Sequence, residues 1–216
     1  MTREKLLAAA VDTFGQRGFD GASTRQLAEA AGVNLQAIPY YFGGKEGLYR
    51  AAADYVANAI SNYVSSTRDR VRTRLLEAQA RGIAIDASEA RGLLTELLQT
   101  MVELFTSRQS EPWARFILRE QAAPTDAFDI LFSHMMRPLF DVFAQLLAVL
   151  LGEAPTSEHV RLRSMALVGS VMVFRVAHAA VLAVLDKPEL GPHETGAIRS
   201  LAAELVASIR PEDTTK

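Results

Sequence analysis

Apolar residues recur at helical spacing along nearly the whole chain, and this pattern limits the fold more than any other feature. In the first segment Leu6, Leu7, Ala10, Val11 and Phe14 lie three or four positions apart, which places their side chains on one face of an α-helix. The alternation of apolar and polar residues that marks a strand is hard to find anywhere in the sequence. The pattern therefore predicts an all-α protein.

Glycine and capping residues divide the first fifty residues into short helices. The first helix is expected to end at Gly18, and Ser23 forms a capping box with Gln26 that begins the second. The second helix ends at Gly32, which supplies the positive φ that a tight turn requires. Asn34 is the expected N-cap of a third short helix. Two short helices joined by a glycine turn form a helix-turn-helix.

The third helix has an outward face suited to DNA. Val33, Ile38 and Phe42 are expected to point into the core. The residues that remain on the outward face of the helix are Leu35, Gln36, Ala37, Pro39 and Tyr40. One amide, small apolar groups and an aromatic hydroxyl are side chains that can read base edges in the major groove.

Pro39 is an unusual residue inside a helix. Counted from Asn34 as the cap, it is the fifth helical residue, so the amide bond to the Leu35 carbonyl is lost. It also disfavours α geometry at Ile38. We therefore expect 3₁₀ character in this helix.

The rest of the chain reads as further amphipathic and apolar helices of a soluble protein. The segment 124–152 is apolar nearly all round, and Pro138 is expected to kink it. The segment 164–185 is apolar enough to be considered as a membrane span. However, Arg175 and His178 lie at its middle, where a charge in lipid costs about 2.5 kcal/mol or more. A buried helix is therefore favoured, and no membrane association is expected.

Composition and spacing argue against several kinds of site. The chain has no cysteine, and its four histidines show no metal-ligand spacing with one another, so no metal or cofactor is predicted. The segment GGKEG is not a Walker A motif, because Pro39 and Glu46 occupy the positions of its first glycine and its serine or threonine. The net charge of −2 is not that of a strongly basic DNA-binding protein, so the case for DNA rests on geometry. An all-α small-molecule enzyme is the alternative function.

With these residues identified, the segment from Met1 to about Ala52 resembles the DNA-binding domain of the TetR family of transcriptional regulators. The matching motifs are AAAVDTFGQRGFDGAST, RQLAEAAGV and the YYF, KE and L of YYFGGKEGL, which ends at Leu48. The C-terminal region, with EPWARFILREQAAPTDAF and MMRPLF, is similar to the CerR-type branch of that family.

The resemblance implies a division of the chain and a function. Residues 1–47 would form a three-helix helix-turn-helix DNA-binding domain, and residues 48–210 a helical bundle that binds an effector and dimerises. Residues 211–216 would be a flexible tail. The implied protein is a cytoplasmic regulator rather than an enzyme, with repression favoured. It would bind double-stranded DNA at a palindromic operator as a homodimer and be released by a small-molecule effector.

Together, the pattern and the resemblance predict ten DNA-binding residues: Thr24, Arg25, Asn34, Leu35, Gln36, Ala37, Pro39, Tyr40, Tyr41 and Lys45. By the resemblance, Thr24 and Arg25 would contact phosphate, and Tyr41 and Lys45 would hold the DNA backbone. The outward residues between Gln36 and Tyr40 would face bases.

This sequence departs from the family pattern around the third and fourth helices. Pro39 stands where the family usually has an aromatic residue, and Tyr41 replaces a common histidine. Gly44 and Gly47 stand where a serine or asparagine and an acidic residue often make a capping box. The hypothesis is that these two glycines form a hinge. The alternative is that they fit a tight approach to the third helix.

Ten further residues are candidates for the effector site: Met101, Trp113, Phe116, Arg119, Met135, Met136, Phe140, Phe174, Arg175 and His178. For the apolar members, ordinary core packing is favoured. Arg119, Arg175 and His178 are polar groups in apolar helices. Either a carboxylate such as Glu120, Asp129 or Asp141 satisfies them, or they anchor a polar ligand.

The last two helices are expected to form the dimer interface. They carry apolar residues that a monomer would leave partly exposed: Leu167, Val171, Ala179, Leu182, Leu201 and Leu205. Paired with their symmetry mates, these would build a four-helix interface.

Overall fold

The structure, a computed structural model, describes residues 2–210. Over this range the chain forms eleven α-helices, with one π-helical turn and no strand. The prediction of an all-α fold is therefore confirmed. The tail predicted over 211–216 lies outside the described residues.

The helices follow one another with short connections. The N-terminal ones are α1 (Thr2–Gly21), α2 (Thr24–Ala31), α3 (Ala37–Phe42) and α4 (Lys45–Arg81). The middle ones are α5 (Ala87–Thr106), α6 (Ser110–Ala122) and α7 (Asp126–Leu131), followed by the π-helical turn Phe132–Met136. The last are α8 (Arg137–Leu151), α9 (Glu158–Val176), α10 (His178–Leu185) and α11 (Pro192–Ala207).

Local capping signals place the first helices as expected. The backbone of Gly18 is non-helical, with φ 76°, so α1 is interrupted at the predicted residue before a short continuation to Gly21. Ser23 Oγ accepts a hydrogen bond from the amide of Gln26 at 3.2 Å, and the Gln26 side chain accepts one from the Ser23 amide at 3.0 Å. This capping box begins α2, and Gly32 ends it in the left-handed region at φ 63°.

Residue contacts divide the chain into two compact units. The first unit comprises Met1–Asn62 and Arg108–Arg137, so it contains α1 to α3, the first half of α4, α6, α7 and the π-helical turn. The second unit comprises Tyr63–Ser107 and Pro138–Lys216. Packing sets the bounds of these units. The functional division between residues 47 and 48 stays a prediction.

Aromatic side chains and an arginine join α6 to the N-terminal helices in the first unit. The Tyr49 ring lies with its centroid 4.8 Å from that of Phe14 and 5.1 Å from that of Phe116. Such pairs add about 0.5–1.5 kcal/mol each beyond their burial. Arg115 forms an ion pair with Asp12 at 2.7 Å. The helix-turn-helix therefore shares one core with α6.

The second unit is built around α5, α8, α9 and α11. Its core includes Leu94, Leu98, Phe143 and Leu147, which are almost completely buried. These helices are apolar over a wide face because they are covered on more than one side.

A π-helical turn ends at Met136, two residues before Pro138. Proline has no amide hydrogen to give to the carbonyl four residues earlier, that of His134. The hydroxyl of Ser61 donates to this carbonyl instead, at 3.3 Å. The irregularity before Pro138 is thus a π-helical turn, one of the recognised sources of helix kinks, and the kink itself stays a prediction.

Two segments are apolar enough to be compared with membrane spans. Asp126–Leu151 passes by length and composition, but 56% of its apolar window is buried inside the protein, as in the core helix of a soluble protein. The segment considered from the sequence, 164–185, is not one helix. The chain bends by 75° between α9 and α10.

Candidate nucleic-acid interface

The turn between α2 and α3 is closed by a side chain. Asn34 Oδ1 accepts a hydrogen bond from the amide of Gln36 at 2.8 Å. The helix itself begins at Ala37, with Gln36 at the N-cap position. The prediction that Asn34 is the N-cap of α3 is therefore wrong by two positions. Asn34 stabilises the preceding turn, a common alternative use of this side chain.

The first turn of α3 accommodates Pro39 without losing a hydrogen bond. The amide of Ala37 donates to the Asn34 carbonyl at 2.9 Å, and that of Ile38 to the Leu35 carbonyl at 3.2 Å. These are i to i+3 bonds, so the expected 3₁₀ character is present. Pro39 is the third residue of α3 and not the fifth, and a first-turn position needs no amide donor. The predicted loss at the Leu35 carbonyl does not occur, because Ile38 takes that carbonyl.

The outward face of α3 is open to solvent. Tyr40 is 81% exposed, and Leu35 and Tyr41 are each close to half exposed. An open groove beside α3 is lined by Thr2, Gly32, Val33, Asn34, Gln36, Ala37, Pro39, Tyr40 and Tyr41. The structure thus brings six of the ten predicted DNA-binding residues to one surface. Thr2 was not predicted to lie on this surface, because no sequence signal indicates which helix packs beside the first turn of α1.

The two predicted phosphate-binding cations are held by different partners. Arg25 extends into solvent from α2 and forms an ion pair with Glu29 at 2.8 Å. The hydrogen bond to Glu29 also raises the pKa of Arg25. Lys45 places its Nζ 4.3 Å from the centroid of the Phe19 ring, a cation–π contact. The Nε–H of Arg25 is thus engaged by a carboxylate, whereas no carboxylate pairs with Lys45 among the described residues.

Glycine is required where α3 meets α4. Gly43 and Gly44 have φ values of 75° and 138°, which other residues rarely adopt. A Cβ added to Gly47 would lie 1.8 Å from the Phe42 carbonyl oxygen. This geometry favours the tight approach over the hinge hypothesis for these glycines. The residues Ser and Glu that would build a capping box at positions 44 and 47 do not fit this backbone.

Comparison with known families identifies the chain. A family model described as the C-terminal domain of the HTH-type transcriptional dual regulator CecR matches residues 90–210, and the model of the tetR family of bacterial regulatory proteins matches residues 6–52. The chain belongs to the TetR family of transcriptional regulators. The C-terminal resemblance described above as CerR-type corresponds to this CecR branch. The family is one of transcriptional regulators and not of enzymes.

Individual relatives of this TetR-family regulator agree with that assignment. The HTH-type transcriptional dual regulator CecR of Shigella flexneri is 31% identical over 180 residues, which cover 83% of this chain and 78% of that protein. The regulator RutR of Escherichia coli strain K12 is 49% identical over 49 residues, 23% of each chain.

Solved structures share the fold at low sequence identity. A TetR-like regulator from Rhodococcus sp. RHA1 has a TM-score of 0.63 at 19% identity, over 95% of this chain and 93% of that one. FadR from Bacillus subtilis, solved in complex with stearoyl-CoA, has a TM-score of 0.60 at 14% identity, over 95% of this chain and 97% of that one. These similarities show the TetR-family fold.

The ten effector candidates do not gather in one unit of this regulator. Trp113, Phe116, Arg119, Met135 and Met136 belong to the first unit, and Met101, Phe140, Phe174, Arg175 and His178 belong to the second. In the first unit, the Phe116 ring packs on Tyr49, and Arg119 donates to the Gln16 carbonyl at 3.0 Å. Both therefore have structural partners, and their effector role stays a prediction.

The polar candidates of the second unit differ from each other. Arg175 is 8% exposed and donates to the carbonyls of Phe105, at 2.7 Å, and Ser107, at 2.5 Å. It thereby satisfies backbone acceptors at the end of α5, a solution not foreseen from the sequence. His178 Nδ1 is buried and has no hydrogen-bond partner among the described residues. An unsatisfied buried ring nitrogen calls for an explanation.

The apolar surface of α9 is not the one predicted. Leu167 and Val171 are 8% and 1% exposed, so they belong to the core of the second unit. The prediction that a monomer leaves them partly exposed is wrong. Of the other predicted residues, Ala179 and Leu201 are exposed, and Leu182 and Leu205 are partly buried. The large apolar residues that are exposed on the last helices are Leu162, Met165, Met172, Val173, Val176, Val184, Leu185 and Leu201. Because α9 is apolar on both sides, its sequence pattern could not indicate which side faces the core.

Proposed function

We propose that this TetR-family regulator binds a palindromic operator as a homodimer through α3 and releases it when a small-molecule effector binds. The observation that carries the proposal is the open face of α3, with Gln36, Tyr40 and Tyr41 along one groove. Two such helices, related by a two-fold axis, would enter successive major grooves about 34–36 Å apart.

The contacts divide by chemistry. Gln36 is the amide on the exposed face of α3, and an amide can bind adenine through two hydrogen bonds. Thr24 and Arg25 at the start of α2, Tyr41 in α3 and Lys45 at the start of α4 would bind phosphates and fix the register of the helix. Asn34 and Leu35 complete the surface at the start of the helix.

The homodimer is proposed to form on the exposed apolar face of α9. Met165, Met172, Val173 and Val176 are each more than a third exposed, at spacings that place them along one side of the helix. Large apolar surfaces of this kind mark interaction sites. TetR-family regulators act as dimers, and a two-fold interface uses the same patch on both copies.

The effector site is proposed to lie in the second unit. Phe140 and Phe174 are partly buried against the core that contains Met101, and His178 supplies a buried nitrogen able to bind a polar group of a ligand. Arg175 is already engaged, so His178 is the stronger anchor. To switch operator occupancy fully, the effector must prefer the non-binding conformer by roughly 5 kcal/mol.

Repression in the cytoplasm is the proposed biological role. AcnR of Corynebacterium glutamicum, 38% identical over 64 residues, carries the name of a repressor, and the relative CecR carries that of a dual regulator. A protein that occupies a site overlapping a promoter blocks transcription from it, which makes release by an effector the expected signal.

The test is selection of DNA sequences by the purified full-length protein, combined with sedimentation. We expect enrichment of a near-palindrome with half-sites one helical turn apart, and a dimer at micromolar concentration. Met165→Glu should shift sedimentation toward a monomer and abolish the preference for paired half-sites. The exposed Leu76→Glu on α4 is the matched control and should remain dimeric. A monomeric parent protein with no sequence preference would refute the proposal.

A further inference from the structure

The first turn of α1 lies beside α3, on the surface that carries the predicted base-reading residues. Thr2 lines the same groove as Gln36 and Tyr40. The guanidinium carbon of Arg3 lies 5.6 Å from the centroid of the Phe42 ring, at the end of α3. A positively charged side chain that was not assigned to the interface is therefore held at the end of α3, against Phe42.

Arg3 has the properties of a phosphate-binding residue. It is exposed, and no ion pair joins it to another described residue. The contact with the Phe42 ring is not a hydrogen bond, so it does not engage the N–H donors of the guanidinium, and those donors match the oxygens of a phosphate. Arg25 differs, because its Nε–H is engaged by Glu29.

A second cation on this unit is held in the same way. Lys45, which is predicted to contact the DNA backbone, lies over the ring of Phe19. In both cases the aromatic face positions the cation before DNA arrives, so less side-chain freedom is lost on binding. Each cation on this surface also matters for the attraction to DNA, because the first fifty residues carry only six Lys and Arg against five Asp and Glu.

We propose that Arg3 binds a phosphate of the operator backbone, which makes the first turn of α1 part of the DNA interface beside α2, α3 and the start of α4. The inference rests on the proposed function, because it requires α3 to lie in the major groove. A helix in that groove is flanked by the phosphates of both strands, and Arg3 reaches outward from one side of α3. The contact carries no base preference.

The experiment compares Arg3→Gln with Lys5→Gln in the full-length protein. Both variants remove one positive charge from the exposed start of α1, but no described contact joins Lys5 to α3. Affinity for the selected operator and for random DNA is measured at several salt concentrations. For Arg3→Gln we expect the slope of log K against log salt to fall by about one unit per protomer, with a loss of roughly tenfold or more near 0.1 M salt on both DNAs. For Lys5→Gln we expect the parent's slope.

The outcomes separate this inference from the proposed function. A parent protein that prefers its operator, combined with an Arg3→Gln variant that keeps the parent's slope, overturns only the role of Arg3. Equal losses in the two variants also overturn it, because they indicate a general effect of charge. A parent protein without sequence preference overturns the proposed function itself. Arg3→Lys should keep the slope with weaker affinity, and thermal unfolding of each variant should match the parent, since both side chains are exposed.

Discussion

Tyr49 donates its phenolic hydrogen to Glu120, and both side chains are buried in the first compact unit. The second carboxylate oxygen of Glu120 accepts from the amide and the hydroxyl of Thr125, at 3.0 and 2.9 Å. Burial and the hydrogen bond to Glu120 raise the pKa of Tyr49. The network ties α4, about one turn after Lys45, to the corner between α6 and α7. The position of a predicted phosphate-binding residue thus depends on helices outside the helix-turn-helix.

Removing the Tyr49 hydroxyl should destabilise the protein. Tyr49→Phe leaves a buried oxygen of Glu120 without its donor, and an unsatisfied buried polar group costs about 1–3 kcal/mol. Thermal and denaturant unfolding measure the loss. Tyr40→Phe is the matched control, because it removes the same atom from an 81% exposed side chain and should unfold like the parent. Equal stability of the two variants would contradict the role given to the Tyr49–Glu120 bond.

The same hydrogen bond should make stability depend on alkaline pH. The pKa of Tyr49 is raised above its ordinary value of 10.0 in the folded state. Its contribution is therefore fully present below about pH 10 and is lost as the pH rises through the folded-state pKa. The difference in unfolding free energy between the parent and Tyr49→Phe should be constant from pH 7 to 9 and shrink above 10. A difference in unfolding free energy that stays constant from pH 7 to above pH 10 would contradict the raised pKa of Tyr49.

Gly47→Ala should disturb the junction of α3 and α4. The added methyl group would meet the Phe42 carbonyl oxygen at 1.8 Å, so the backbone must shift, and such overpacking costs about 1–3 kcal/mol. Operator affinity should fall as well, because the end of α3 moves. Gly92→Ala is the control: it lies in α5 with open space around it, and alanine should stabilise that helix by about 0.5–1 kcal/mol. The prediction fails if Gly47→Ala is as stable as the parent.

The local features of this fold could be predicted from the sequence, and the long-range ones could not. The capping box of Ser23 and Gln26 and the turn at Gly32 depend on residues a few positions apart, which periodicity and capping preferences reveal. The partners of Arg175 are carbonyls about seventy residues away, and no pattern indicates them. The burial of Leu167 was missed for a related reason, since an apolar pattern on both sides of a helix does not tell core from interface.

For the exposed surface of α3, likewise, some features could be predicted from the sequence and others could not. Its composition was predictable, because Gly32 and Ile38 fix which side of the helix faces the core. The neighbourhood of Thr2 and Arg3 was not, since it depends on how α1 crosses α3. Only the three-dimensional arrangement of helices shows which charges share a surface.

Gln36→Ala should relax the preference for one base pair in each half-site. An amide that binds a base edge through two hydrogen bonds discriminates by about 1–3 kcal/mol, so the loss should appear at one position and not across the site. Lys45→Ala provides the contrast, because loss of a phosphate contact should weaken binding to all sequences alike and lower the salt slope by about one unit per protomer. Repeated selection of operators by the two variants measures both effects. An operator selected by Gln36→Ala that is identical to the parent's would exclude direct readout by Gln36.

The ion pair of Arg25 and Glu29 should limit the affinity for DNA in general. Both side chains are largely exposed, at 83% and 63%, so the pair adds little to stability. In complex with DNA, however, the Glu29 carboxylate competes with a phosphate for the Nε–H of Arg25 and repels the DNA backbone. Glu29→Gln should therefore raise the affinity for random DNA and for the operator alike, several-fold at low salt, and leave operator preference unchanged, because a phosphate contact carries no base preference. Glu77→Gln makes the same change in net charge on the exposed surface of α4 and should have a much smaller effect. If both variants gain affinity equally, the effect belongs to total charge, and Arg25 is not the phosphate contact that the family resemblance implies.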